Sequence, residues 1–76
     1  MREIEIKNCY VEFGKLVKEA REQREWSQRD LAKLLGITQP YVCKLEQGER
    51  NISLDLVMAC CRILKIDIQE FVKDFI

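Results

Sequence analysis

Seventy-six residues, 47% apolar and 34% charged, carry 13 Lys and Arg against 13 Asp and Glu and so no net charge. That length builds one compact core with little stability to spare, which excludes a multidomain machine and makes an enclosed catalytic cleft hard to form. Histidine is absent and the three glycines stand apart, which removes the usual general base and any glycine-rich phosphate loop, so a binding module is expected rather than an enzyme.

The longest apolar run, Leu56 to Cys61, stops at Arg62 and is far too short to span a bilayer. The opening "MREIEIKN" alternates charge with isoleucine and has no apolar signal core, so a cytoplasmic location is expected. The four cysteines stand at 9, 43, 60 and 61, none in C-x-x-C spacing. Reduced thiols are expected in that setting, with no metal and no cofactor.

In chain order, residues 1–8 read as an amino-terminal extension. A first helix follows over roughly 9–25, with Phe13, Leu16, Val17 and Ala20 at the spacing of a buried stripe and Lys15, Lys18, Glu19 and Glu22 on the other face. A recurring pattern then marks four helix starts: an apolar residue, a Ser, Thr or Asp cap, and a second apolar residue four positions past the cap. It reads Trp26-Ser27-Leu31, Ile37-Thr38-Val42, Ile52-Ser53-Val57 and Ile66-Asp67-Phe71. Each is an N-cap inside a hydrophobic staple, and Asp30 and Glu70 extend two of them towards a capping box. The predicted helices cover roughly 27–35, 38–47, 53–64 and 67–75. Gly36 and Gly48 fall just past the second and third, where a left-handed glycine closes a helix.

Pro40 looks misplaced at first, because proline inside a helix costs about 3 kcal/mol. With Thr38 as the cap it is the second helical residue, whose amide has no partner within the helix to lose. Gln39 as the cap is the competing placement, since a residue before proline avoids helical angles, but the Ile37–Val42 staple selects Thr38. The proline then stiffens the first turn of the third helix, and Gln39, Pro40 and Lys44 project from its outer face.

Only Gly36 and Ile37 join the second helix to the third. Small Ala32 lies in the middle of the former, and Leu31, Leu35, Val42 and Leu45 face inward. Two helices crossing steeply at short range need that pattern, and residues 27–47 are read as a helix-turn-helix unit. The segment "QRDLAKLLGITQPYVCKLEQ", 28–47, resembles the DNA-binding unit of the Cro/C1-type (XRE) family of phage and bacterial regulators. Ala32, Gly36, Val42 and Leu45 fall at that family's structural positions, and "LEQG" matches its usual close to the recognition helix. Shorter stretches, "EIEIK" and "RNISL", resemble restriction-modification controller proteins, with phage-type repressors as the rival subtype.

The resemblance implies an all-α, five-helix, lambda-repressor-like domain filling residues 1–76. It further implies a sequence-specific regulator, a repressor or autoregulator, of double-stranded DNA. In such proteins the second helix of the unit enters the major groove. That assigns base contacts to Gln39, Pro40 and Lys44, with Tyr41 and Cys43 beside them. Chemistry agrees: a glutamine amide donates and accepts together to adenine, lysine donates to guanine, and an apolar ring packs on a thymine methyl. Gln28, Arg50 and Asn51 correspond to phosphate contacts, and Arg21 and Glu46 to a structural ion pair. Trp26 is read as a staple residue, not a stacking platform for bases. Cys43 is read as a small neutral filler, not a redox sensor, and Cys60 and Cys61 as small hydrophobes.

Two features depart from the family. The neutral charge means that Arg29, Lys33, Lys44 and Arg50 face Asp30, Glu46 and Glu49 between residues 27 and 51, so few phosphates are neutralised and a shallow salt dependence is expected. The same neutrality fits an alternative, a helix-turn-helix module that binds another protein and not DNA. Lys65 stands where the family often has glycine; a left-handed conformation there would be strained.

The carboxyl-terminal part, 53–76, has a surplus of apolar residues. Leu54, Val57, Cys60, Cys61, Leu64, Ile68 and Phe71 account for the core stripe, leaving Leu56, Ala59, Ile63, Val72, Phe75 and Ile76. These are read as a homodimer interface that sets two recognition helices about 34 Å apart on a near-palindromic operator.

Overall fold

The computed structural model describes the backbone of residues 3–49 and 52–73, with side chains from Cys9 onwards. The described residues form five helices and no strand: α1 (Glu3–Gln23), α2 (Gln28–Leu35), α3 (Gln39–Glu46), α4 (Leu54–Leu64) and α5 (Ile68–Val72). The fold class is the all-α one expected. Helix α1 begins at Glu3 and not near residue 9. The stretch before Gly14 contains neither glycine nor proline, so nothing stops the helix from continuing towards the amino terminus. Its other end is sealed by Glu25, which is left-handed at φ 57°, and by the Trp26 amide donating to the Arg21 carbonyl at 3.2 Å. No glycine announces that stop in the sequence.

The four capped starts fall where the sequence placed them. Ser27, Thr38, Ser53 and Asp67 are all extended residues whose side chains accept backbone amides of the following turn. Ser27 and Asp30 form a complete capping box: the Asp30 amide donates to Ser27 Oγ at 3.0 Å, and the Ser27 amide to Asp30 Oδ2 at 2.9 Å. Asp67 Oδ1 takes the Gln69 and Glu70 amides, while the Glu70 carboxylate lies 3.0 Å from Lys73 Nζ. Gly36 (φ 71°) and Gly48 (φ 83°) are left-handed, and Lys65 takes the same conformation at φ 55°, ψ 42° to close α4.

Helices α2 and α3 pack on each other, α1 backs α3, and α4 packs against both α1 and α2. The core is Phe13, Val17 and Ala20 from α1, Leu31 and Ala32 from α2, Val42 and Leu45 from α3, and Leu56, Cys60 and Leu64 from α4. Burial pushes the Cys60 thiol up to about 12, so it behaves as a small hydrophobe.

The face of α4 differs from the sequence reading. Leu56, expected at the interface, is only 7% exposed in the core, whereas Leu54, expected in the core, is 74% exposed. Helix α4 is apolar around most of its circumference, so periodicity alone allowed two inward stripes. Packing against α1 and α2 selects the one running through Leu56, Cys60 and Leu64. Ile68 of α5 is likewise exposed, and Phe71 carries that helix, lying edge-on to Phe13 with ring centroids 5.7 Å apart.

Two braces were not foreseen. Arg24 donates from Nη1 to the Ala20 carbonyl at 2.9 Å and from Nη2 to the Leu64 carbonyl at 2.7 Å, tying the ends of α1 and α4 together while its guanidinium lies over Trp26. Gly14 lies against the end of α3, where an added Cβ would stand 2.6 Å from the Leu45 carbonyl oxygen.

Candidate nucleic-acid interface

The candidate surface is built from the amino-terminal turns of α2 and α3. Thr38 caps α3 with its hydroxyl facing the Tyr41 amide at 3.4 Å, while the Val42 amide donates to the Thr38 carbonyl. Pro40 is therefore the second helical residue, at a position without an intrahelical amide bond to lose. Val42 and Leu45 anchor the inner face in the core, which turns Gln39, Pro40 and Lys44 outward. All three are exposed; Tyr41 and Cys43 are half-buried on the flanks. Gln47 Nε2 lies 3.4 Å from Cys43 Sγ as its donor.

Behind this surface lies a charged anchor. Arg21 Nε donates to Glu46 Oε2 at 2.7 Å and Nη2 to Glu46 Oε1 at 3.0 Å, a bidentate pair whose side chains are 10% and 3% exposed. Arg21 Nη1 also donates to the Trp26 carbonyl at 2.8 Å, fixing the turn into α2. The Glu46 carboxylate holds the Arg21 pKa above its ordinary value. The pair fastens the end of α1 to the end of α3, and so sets the tilt at which α3 is presented.

Gln28, the first residue of α2, is held between this anchor and α3. Its Nε2 donates to Glu46 Oε1 at 3.1 Å, and its Oε1 accepts from Gln39 Nε2 at 3.1 Å. Sequence reasoning gave Gln28 and Gln39 separate roles and missed this chain. The signal available was a glutamine at the first position of both helices.

Arg50, Asn51, Phe75 and Ile76 lie outside the described residues. Of the remaining expected interface residues, Ala59 and Ile63 are half-buried, Val72 is exposed, and Leu56 is in the core. Met58, which sequence reasoning left out, is 63% exposed beside them. Among the described residues no His, Cys, Asp and Glu side chains converge into a set able to hold a metal ion, and no helix is long and apolar enough to cross a membrane.

Two helices joined by a tight left-handed turn, the second with a buried inner face and a polar outer one, define a helix-turn-helix protein. The sequence model of the helix-turn-helix family HTH_3 matches residues 17–71, spanning the described part of the fold from mid-α1 to α5. The chain belongs to this helix-turn-helix family, of the Cro/C1 type. It is 38% identical over 45 residues to a protein of Thermococcus kodakarensis named "Putative HTH-type transcriptional regulatory protein". The match covers 59% of this chain and 14% of that relative, so it concerns the domain and not the relative as a whole.

Proposed function

We propose that the protein is a sequence-specific DNA-binding regulator, a repressor or autoregulator, that reads the major groove as a homodimer on a near-palindromic operator. The observation that carries the reading is the exposure of Gln39, Pro40 and Lys44 along one capped, proline-stiffened helix whose opposite face is locked into the core. Gln39 suits an adenine edge, Lys44 the N7 and O6 of a guanine, and the Pro40 ring a thymine methyl. Tyr41 and Cys43 flank them. The amide groups at the start of α2, together with Gln28, attract a backbone phosphate, with Arg50 and Asn51 as further phosphate contacts. Nothing in this arrangement calls for catalysis.

Sites selected from a randomised duplex pool supply the test. Gln39→Ala and Lys44→Ala should each weaken the best site by about 1–3 kcal/mol while leaving random duplex and thermal stability nearly unchanged. Equal loss on every sequence would reduce both side chains to backbone contacts. The lack of net charge favours a second reading, a module that binds protein through the same fold. A salt titration on random duplex separates the two, since a DNA binder keeps salt-sensitive non-specific affinity.

A further inference from the structure

A groove of about 680 Å³ runs along α1 and is closed on its other side by the turn from α4 into α5. Its floor is apolar, with Ala20 and Leu64 buried and Leu16, Ile66 and Phe71 half-buried. Carboxylates stand on both walls, Glu12 and Glu19 on α1, Asp67 and Glu70 on the α5 side, all four exposed. Two cations line one end, but Arg24 gives its guanidinium to the Ala20 and Leu64 carbonyls and the Trp26 ring, which leaves Lys65. Glu19 has no ion-pair partner among the described residues, and Glu12 and Glu70 are paired with exposed Lys15 and Lys73 at 3.4 and 3.0 Å. Exposed pairs of this kind are weak and exchange readily for another cation. We propose that this groove takes a basic amphipathic helix of another protein while the helix-turn-helix stays on DNA.

An apolar floor between two acidic walls is the complement of a helix whose apolar stripe is flanked by Lys or Arg, with long stems covering the edges of the floor and charged ends meeting the carboxylates. Glu12 and Glu19 are two helical turns apart, about 10 Å, and match cations seven residues apart on the incoming helix. The same walls repel phosphate, so nucleic acid does not fit. A second copy of this chain fits less well. Its exposed cations Arg29, Lys33 and Lys44 lie on α2 and α3, where docking would take them from DNA, and a head-to-tail contact of that kind closes into rings or runs on into filaments, not into dimers. Gly14 and Arg21 face α3, whereas Glu12, Leu16, Glu19 and Gln23, at about 100° per residue, fall on roughly the opposite side of α1. None of Gln28, Gln39, Pro40 and Lys44 lines the groove, nor does Met58, Ala59 or Ile63. Filling it therefore leaves α3 and the outer side of α4 open.

Docking stands on the groove alone; only simultaneous occupancy rests on the DNA-binding reading, and the experiment keeps the two apart. The probe is a stapled helical peptide with leucines on one face, lysines along both flanks and a paramagnetic label at one end. A peptide with glutamate for every lysine is the control. Followed by NMR on the free protein, the lysine peptide should broaden the amide signals of Leu16, Ala20 and Phe71, and the control should not. Glu12→Lys with Glu19→Lys should weaken it about tenfold or more, since each exposed pair lost is worth up to about fivefold. Glu22→Lys with Glu25→Lys makes the same change of charge beside the groove and should weaken it no more than about twofold. Equal weakening by both pairs of substitutions, or binding of the glutamate peptide, would overturn the docking site. Groove signals that move with protein concentration before any peptide is added would assign the groove to a second copy. The titration is then repeated on protein saturated with its selected operator, with peptide in excess over duplex, and the same three signals should broaden. Their failure to do so, after docking in the free protein, would overturn simultaneous occupancy alone. Failure to select any operator would overturn the DNA-binding reading and leave the docking result standing.

Discussion

Gly14 lies in the interior of α1, where alanine would favour the helix by about 1 kcal/mol. Its missing Cβ, however, leaves room for the last turn of α3: a methyl there would meet the carbonyl oxygens of Leu45 and Glu46 at 2.6 and 2.8 Å. Neither oxygen belongs to a flexible side chain, so α3 itself would have to shift. Overpacking of this kind costs about 1–3 kcal/mol, enough to outweigh the propensity gain. Gly14→Ala should therefore lower the melting temperature, and a rise would mean that the two helices lie further apart. Arg21→Ala should cost about 3–5 kcal/mol, because it leaves the Glu46 carboxylate, 3% exposed, without its partner. Arg21→Lys should recover only part of that loss, since an ammonium cannot copy the bidentate fork; full recovery in thermal denaturation would argue against the paired geometry. The ion pair was legible through the family pattern. Gly14 was not, for the carbonyls that exclude a side chain come from an element distant in sequence.

The starts of α2, α3, α4 and α5 were legible because a cap is a local event: Ser27, Thr38, Ser53 and Asp67 satisfy amides within their own first turns. The inward face of α4 was not, because Leu54, Leu56, Val57, Met58 and Ile63 offer apolar surface on nearly every side, and only contact with α1 and α2 buries Leu56. Helix caps also confer a pH dependence. The Ser27 amide, with its hydroxyl, holds Asp30 below the usual carboxylate range, and the Ser53 hydroxyl together with the Leu56 amide does the same for Asp55. The unfolded chain therefore binds protons more readily at these two groups than the folded protein does. Their stabilisation is complete above about pH 4, where an unfolded aspartate is ionised, and is lost as pH falls through their lower folded values. Replacing both with asparagine should flatten the fall in melting temperature between about pH 4 and pH 2. An acid limb as steep as that of the wild type would assign the pH dependence to other carboxylates.

For the whole molecule, net charge and assembly are linked. Thirteen positive and thirteen negative charges give a monomer little general attraction to phosphate, so a single half-site should be held weakly. Two half-sites on one rigid dimer bind as one, because the second contact becomes intramolecular. The proposed interface, with Leu56 withdrawn into the core, gathers on the outer side of α4 around Met58, Ala59 and Ile63, with exposed Leu54 on the same helix. Asp55 and Arg62 border a shallow depression lined by Met58, Ala59 and Ile63, and stand two turns apart on the same helix. Two copies of α4 crossing antiparallel about a two-fold axis would bring Asp55 of each against Arg62 of the other, a self-complementary match in which both pairs form at once. Met58→Asp, at a position 63% exposed and so harmless to the monomer fold, should give a folded monomer by sedimentation with greatly reduced operator affinity. Arg62→Asp should weaken the dimer by setting like charges opposite each other, and adding Asp55→Arg should restore it, because the reversed pair attracts again. A wild type that sediments as a monomer at tens of micromolar, or a double variant no tighter than Arg62→Asp alone, would rule out this crossing of α4 on α4.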